Sequence, residues 1–209
     1  MLKSIKYMDI SYSESDLEYI SEIAEFLDKN TDEIVSFFEI TDFGEKIHLT
    51  LYNDLNTFRT DTQRITNKVF PDWFCGLSYS NCIMVLSLSE YVKTKGHEKH
   101  TLNDLERLIL HEFVHSCHRR ISKINCAWLA EGLACTLSHQ YDKTPLVINA
   151  SLEDILSKKV DYKNYNTLLR FAYTTYGKEY ILKLIHDNKF LIAETPKLYK
   201  EAVIFLSNK

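Results

Sequence analysis

Residues 111–115 read His111-Glu112-Phe113-Val114-His115, and they sit inside a run with helical periodicity from Thr101 to about Arg120. Leu105, Ile109 and Phe113 recur at four-residue spacing and form an apolar stripe. At 3.6 residues per turn His111 and His115 share a neighbouring face, so two imidazoles can address one ion. Glu112 is turned one residue aside and can reach a water at that ion without ligating it. Thr101 followed by Asp104 resembles a capping box and marks the start of the helix.

A catalytic zinc site takes three protein ligands and keeps one position open. The pattern HExxHxxGxxH would supply a third histidine, but His118 stands where its glycine belongs and Ile121 where its histidine belongs. The next helical stretch instead contains Trp128-Leu129-Ala130-Glu131-Gly132-Leu133-Ala134. Glu131 lies sixteen positions beyond His115. A turn and an antiparallel helix would bring its carboxylate back over the two imidazoles, so the expected ligands are His111, His115 and Glu131.

Outward from these motifs the chain divides by pattern. Residues 13–38 are helical in period, with a polar break at Lys29-Asn30-Thr31-Asp32. Residues 46–52 (KIHLTLY) alternate as a half-buried strand does, and Asn53-Asp54 opens a helix that Pro71 stops. Residues 73–79 and 81–89 read as two strands about a turn at Ser80-Asn81, and residues 91–100 as a polar loop. Past Pro145 come short helices near 151–158 and 162–176, an interruption at Gly177, and a helix ending near Asn188. Strands first and helices later make the expected class α+β. The expected domains are an N-terminal helical segment, 1–45, packed on a catalytic domain, 46–209.

The bulk numbers exclude several functions. The 209 residues are 45% hydrophobic and carry a net charge of -4, with no basic patch of the kind nucleic-acid binding requires. No apolar run suits a signal peptide or a membrane span. Five cysteines without CxxC spacing fit a reduced, cytoplasmic setting.

HEFVH followed by WLAEGLA resembles the gluzincin metallopeptidases, above all the compact bacterial proteins of the peptidase MA type, whose second motif reads WLxEGxA. Trp128, Leu129, Glu131, Gly132 and Ala134 match that pattern. The likeness spans residues 46–185 and leaves the first forty-odd residues outside it. It implies a zincin-like fold: a small mixed or antiparallel sheet with an edge strand beside the HExxH helix, then a mainly helical C-terminal part. It further implies Zn2+ as cofactor and hydrolysis of peptide bonds by metal-activated water, with Glu112 as general base. Residues 81–88 (NCIMVLSL) match the edge strand that takes a peptide or protein substrate by strand addition. Tyr162, fifteen positions before Gly177, matches the tyrosine that supports the oxyanion, with Tyr165 and Tyr173 in reserve.

Two departures stand out: the short gap from His115 to Glu131, and Cys135 where thermolysin-like members place an aspartate. The aminopeptidase motif GAMEN is also missing, which favours endopeptidase or oligopeptidase action. Two alternatives stay open. One is an inactive zinc-binding or regulatory protein on a peptidase scaffold, the other a toxin-like or phage-associated protease with one protein target. His97 and His100 are expected to do nothing specific. His118 is read as a solvated residue at a helix C-terminus, beside Arg119 and Arg120. Cys117, Cys126 and Cys135 are read as packing residues, and Trp128 as packing under the Glu131 helix.

Overall fold

The computed structural model describes residues 1–158 and 160–208. These form two compact units, 1–116 and 117–209, whose boundary falls inside one helix. The class is α+β, with the strands in the first unit and, among the described residues, helices and loops without strands in the second.

In the first unit five strands, β1 (Leu2–Ser4), β2 (Met8–Ser11), β3 (Ile47–Tyr52), β4 (Gly76–Tyr79) and β5 (Cys82–Leu86), lie in the order β1-β2-β3-β5-β4. β2, β3 and β5 run parallel, while β1 and β4 are antiparallel to their neighbours at the two edges. A parallel pair needs a crossover. Helix α1 (Ile20–Phe37) supplies one from β2 to β3, and α2 (Leu55–Thr66) lies between β3 and β4. Alternate residues Met8 and Ile10 of β2 and Ile47 and Leu49 of β3 are wholly buried, as are Ile83 and Val85 of β5. Ile23 and Leu27 of α1 join this core.

Three expectations change here. Residues 1–45 are not purely helical, because β1 and β2 belong to the sheet. α1 also runs straight through the polar stretch at 29–32. There Thr31 is buried and returns its hydroxyl to the Leu27 carbonyl at 2.8 Å, which satisfies the polar group within the helix. The 81–88 segment is not an edge strand: β5 is held on both sides, by β3 and β4, and the edge is β4.

Asp54 caps α2 by accepting from the Thr57 backbone N–H at 2.7 Å, and Asn67 in the left-handed region (φ 55°) closes it, four residues ahead of Pro71. A one-turn helix, α3 (Leu88–Tyr91), follows β5. The long helix α4 (Leu102–Ile121) then opens on Asp104, whose carboxylate accepts from the Thr101 N–H at 2.7 Å and hydroxyl at 2.8 Å.

The second unit comprises α5 (Ala127–Leu137), α6 (Leu152–Leu156), α7 (Tyr162–His186) and α8 (Asn188–Ser207). Gly132 lets α5 close on α7. A Cβ built there would lie 2.9 Å from the Tyr165 carbonyl oxygen and 3.0 Å from Leu169 Cβ. α7 is broken at Gly177, whose φ of 78° suits a residue without a side chain. α8, absent from the sequence expectation, is tied to α7 by Tyr180 donating to Glu194 at 2.7 Å and Tyr176 to Glu201 at 2.6 Å.

Candidate metal centre

The motif helix is fixed first by its apolar stripe. Leu105, Ile109 and Phe113 are wholly buried, and Phe113 stacks on Phe43 with centroids 5.8 Å apart. This packing turns the adjoining face, with His111 and His115, toward one point. Their Nε2 atoms are 3.1 Å apart. Tetrahedral zinc with bonds of about 2.0–2.1 Å spaces its ligand atoms by about 3.3 Å, so the imidazole pair is set as two donors to one ion.

Glu131 on α5 completes the group. His111, His115 and Glu131 each offer one ligand atom, and these atoms all lie within 4.8 Å of one another. Two imidazole nitrogens and a carboxylate oxygen are a donor set that suits a borderline divalent ion. The three ligands expected from spacing are therefore the three that come together, and a metal ion could be held there.

Glu112 is 7% exposed and lies beside the edge strand of the sheet. A Cβ on Gly76 of β4 would lie 3.4 Å from Glu112 Oε1 and 3.1 Å from Leu108 Cδ1. A side chain there would need Leu108 to give by a few tenths of an ångström, while its distance to the carboxylate would be ordinary van der Waals contact. The next residue back, Cys75, is also buried, and its thiol is pushed up to about 12 by that burial and by the Glu112 charge.

Among the tyrosines, Tyr162 opens α7 and is 37% exposed, with its ring 6.2 Å from that of Tyr165. Tyr165 is 2% exposed, and burial followed by the Glu131 charge raises its phenol above the ordinary range. Tyr141 is raised for the same reasons, with Cys135, Asp161 and Glu131 contributing charge. Sequence reasoning passed over Tyr141 because it lies outside every motif. Tyr173, the other reserve, is 41% exposed.

Several secondary expectations can be placed. Trp128 is 1% exposed and packs as expected, and Cys117 and Cys135 are fully buried. All five cysteines are free thiols. His118 is corrected. It is 5% exposed rather than solvated, because its side of α4 turns inward while Arg119 and Arg120 face out. His97 and His100 lie in the loop as expected, partly buried and with their Nδ1 atoms 3.0 Å apart. Among the described residues no helix is long and apolar enough to cross a membrane.

Neither a protein-family model, a curated protein nor a solved structure matches this chain.

Proposed function

We propose that the chain is a zinc-dependent metallopeptidase of the gluzincin type, with His111, His115 and Glu131 as ligands. The observation that carries this reading is the convergence of those three side chains beside an intact Glu112. A zinc ion held there would act as a Lewis acid on a peptide carbonyl and acidify water. Glu112 takes the proton of the attacking water and delivers it to the leaving amine, acting as base and then as acid. Its burial keeps that carboxylate in one place, and the edge strand β4 passes beside it at Gly76. The peptide substrate is thus assigned to the β4 edge rather than to residues 81–88, adding as a further strand. Tyr162 is the proposed oxyanion donor, with Tyr165 the alternative nearer Glu131 in charge.

The test is zinc content by elemental analysis, followed by peptide hydrolysis. Wild-type protein should hold zinc, Glu131→Ala should lose it, and Glu112→Gln should keep it while kcat falls by about 10²–10⁴. Near-normal hydrolysis by Glu112→Gln would remove Glu112 from the mechanism. A wild-type protein that takes up no zinc would remove the peptidase.

A further inference from the structure

A second convergence of ring nitrogens lies in the first unit, between α3 and α4. His97 Nδ1 and His100 Nδ1 are 3.0 Å apart, and the Tyr91 hydroxyl is 2.7 Å from the same His100 nitrogen. The outer nitrogen of His97, Nε2, is 2.9 Å from the Trp73 carbonyl oxygen and 3.6 Å from Cys75 Sγ. Tyr91 is 3% exposed, and its ring lies 4.8 Å from His97 and 5.2 Å from His100.

The protons of this cluster can be assigned by elimination. A carbonyl only accepts, so His97 Nε2 carries its hydrogen and donates to Trp73. Neutral His97 then presents a lone pair at Nδ1, aimed at His100 Nδ1. If His100 Nδ1 accepts from Tyr91, two lone pairs face each other at 3.0 Å. If it instead carries a hydrogen, that one hydrogen is divided between His97 Nδ1 and the Tyr91 hydroxyl oxygen, 2.7 Å away. Neutral groups therefore leave at most one hydrogen to serve both contacts, whereas a cation among the three atoms would meet each electron pair directly.

We propose that His97 Nδ1, His100 Nδ1 and the Tyr91 hydroxyl oxygen form a second site for a borderline divalent ion such as Zn2+. This site is independent of His111, His115 and Glu131. The Trp73 carbonyl does for His97 what a backbone or carboxylate oxygen does for a ligating histidine: it fixes the tautomer and turns the other nitrogen toward the metal. Burial also holds His97 below the usual histidine range, so the ring is in its neutral, ligating form at neutral pH. The close imidazole pair has the same signature as His111 and His115, at 3.0 Å against 3.1 Å. Cys75 touches the outer nitrogen and stands outside the donor set.

Equilibrium dialysis of the full chain against Zn2+, followed by elemental analysis, tests the proposal without reference to activity. Wild type should bind two ions. His97→Ala/His100→Ala and His111→Ala/His115→Ala should each bind one, and Co2+ in the latter variant should give visible d–d absorption. Tyr91→Phe keeps the ring and should weaken the second ion at least tenfold. One ion in wild type, retained in full by His97→Ala/His100→Ala, would overturn the second site, leave the first intact and make the shared cation a proton only. Should the double variant fail to fold, unchanged second-ion affinity in both Tyr91→Phe and His100→Gln would overturn it equally.

Discussion

Replacing Gly132 by alanine separates two opposed effects whose sign is diagnostic. In an ordinary helix interior the change stabilises by about 1 kcal/mol, since alanine has the higher helix propensity. In this structure the new methyl would meet the Tyr165 carbonyl oxygen at 2.9 Å and Leu169 Cβ at 3.0 Å. Neither atom is the end of a flexible side chain, so α5 and α7 must move apart. Overpacking of this kind costs about 1–3 kcal/mol. With a central cost of about 2 kcal/mol against a gain of about 1, the expected net loss is about 1 kcal/mol. For a chain of this length that lowers Tm by about 2–4 °C. Calorimetry with parallel urea unfolding reads it. Because Gly132 adjoins Glu131, the displaced helix should also hold zinc less tightly. A variant as stable as wild type or more so would show that α5 and α7 do not approach as described, and the argument for the placement of Glu131 would fall with it.

Three further outcomes are expected. Glu106 is 4% exposed, and burial with the charge of Glu22 raises its carboxyl to about 7. The folded state then binds more protons than the unfolded one between about 4.5 and 7, so stability falls as pH rises through that window. Glu106→Gln should remove the fall, with a urea midpoint above wild type at pH 8; equal pH slopes would refute it. Cys75 and Cys117 are buried with thiols pushed up to about 12, so a thiol reagent at pH 8 should spare both in the native protein and label them on unfolding. Rapid native labelling of Cys75, mapped by mass spectrometry, would contradict its burial. Tyr162→Phe should lower kcat by about 10–10³ with zinc content unchanged; if only Tyr165→Phe does so, the oxyanion role passes to Tyr165.

The grouping of His111, His115 and Glu131 was legible because its information is local. HEFVH and WLAEGLA each lie on one helix, and a helix places i and i+4 together wherever it occurs. The sheet was less legible. β1 and β2 are three and four residues long, too short for alternation to show, and Met8 of β2 finds its partner at Ile47. Strand order is set by such distant pairings, and the resemblance that placed residues 81–88 at an edge does not carry that information: β4 is the edge. α8, for which no helix was expected, carries Pro196 inside it, a residue that ordinarily ends a helix. His118 misled through its neighbours, since Arg119 and Arg120 are exposed while the next position round the helix is not. His97 and His100 sit among lysines in a segment without period, and only the approach of Tyr91 and Trp73 gives them partners.

The parallel pairing of β2 with β3 also sets an order of events during synthesis. β1 and β2 can form a hairpin at once, since Ile5 and Met8 close the turn between them at 2.9 Å. The far side of that hairpin must wait through all of α1 before β3 leaves the ribosome, and β3 waits again for β5. Until β5 follows, Ile47, Leu49 and Leu51 present an apolar ribbon with open backbone on the β5 flank, the kind of segment that recruits identical strands from other chains. Deleting residues 2–11 would leave the opposite flank of β3 open permanently, and the shortened chain should be recovered more in inclusion bodies than the full chain.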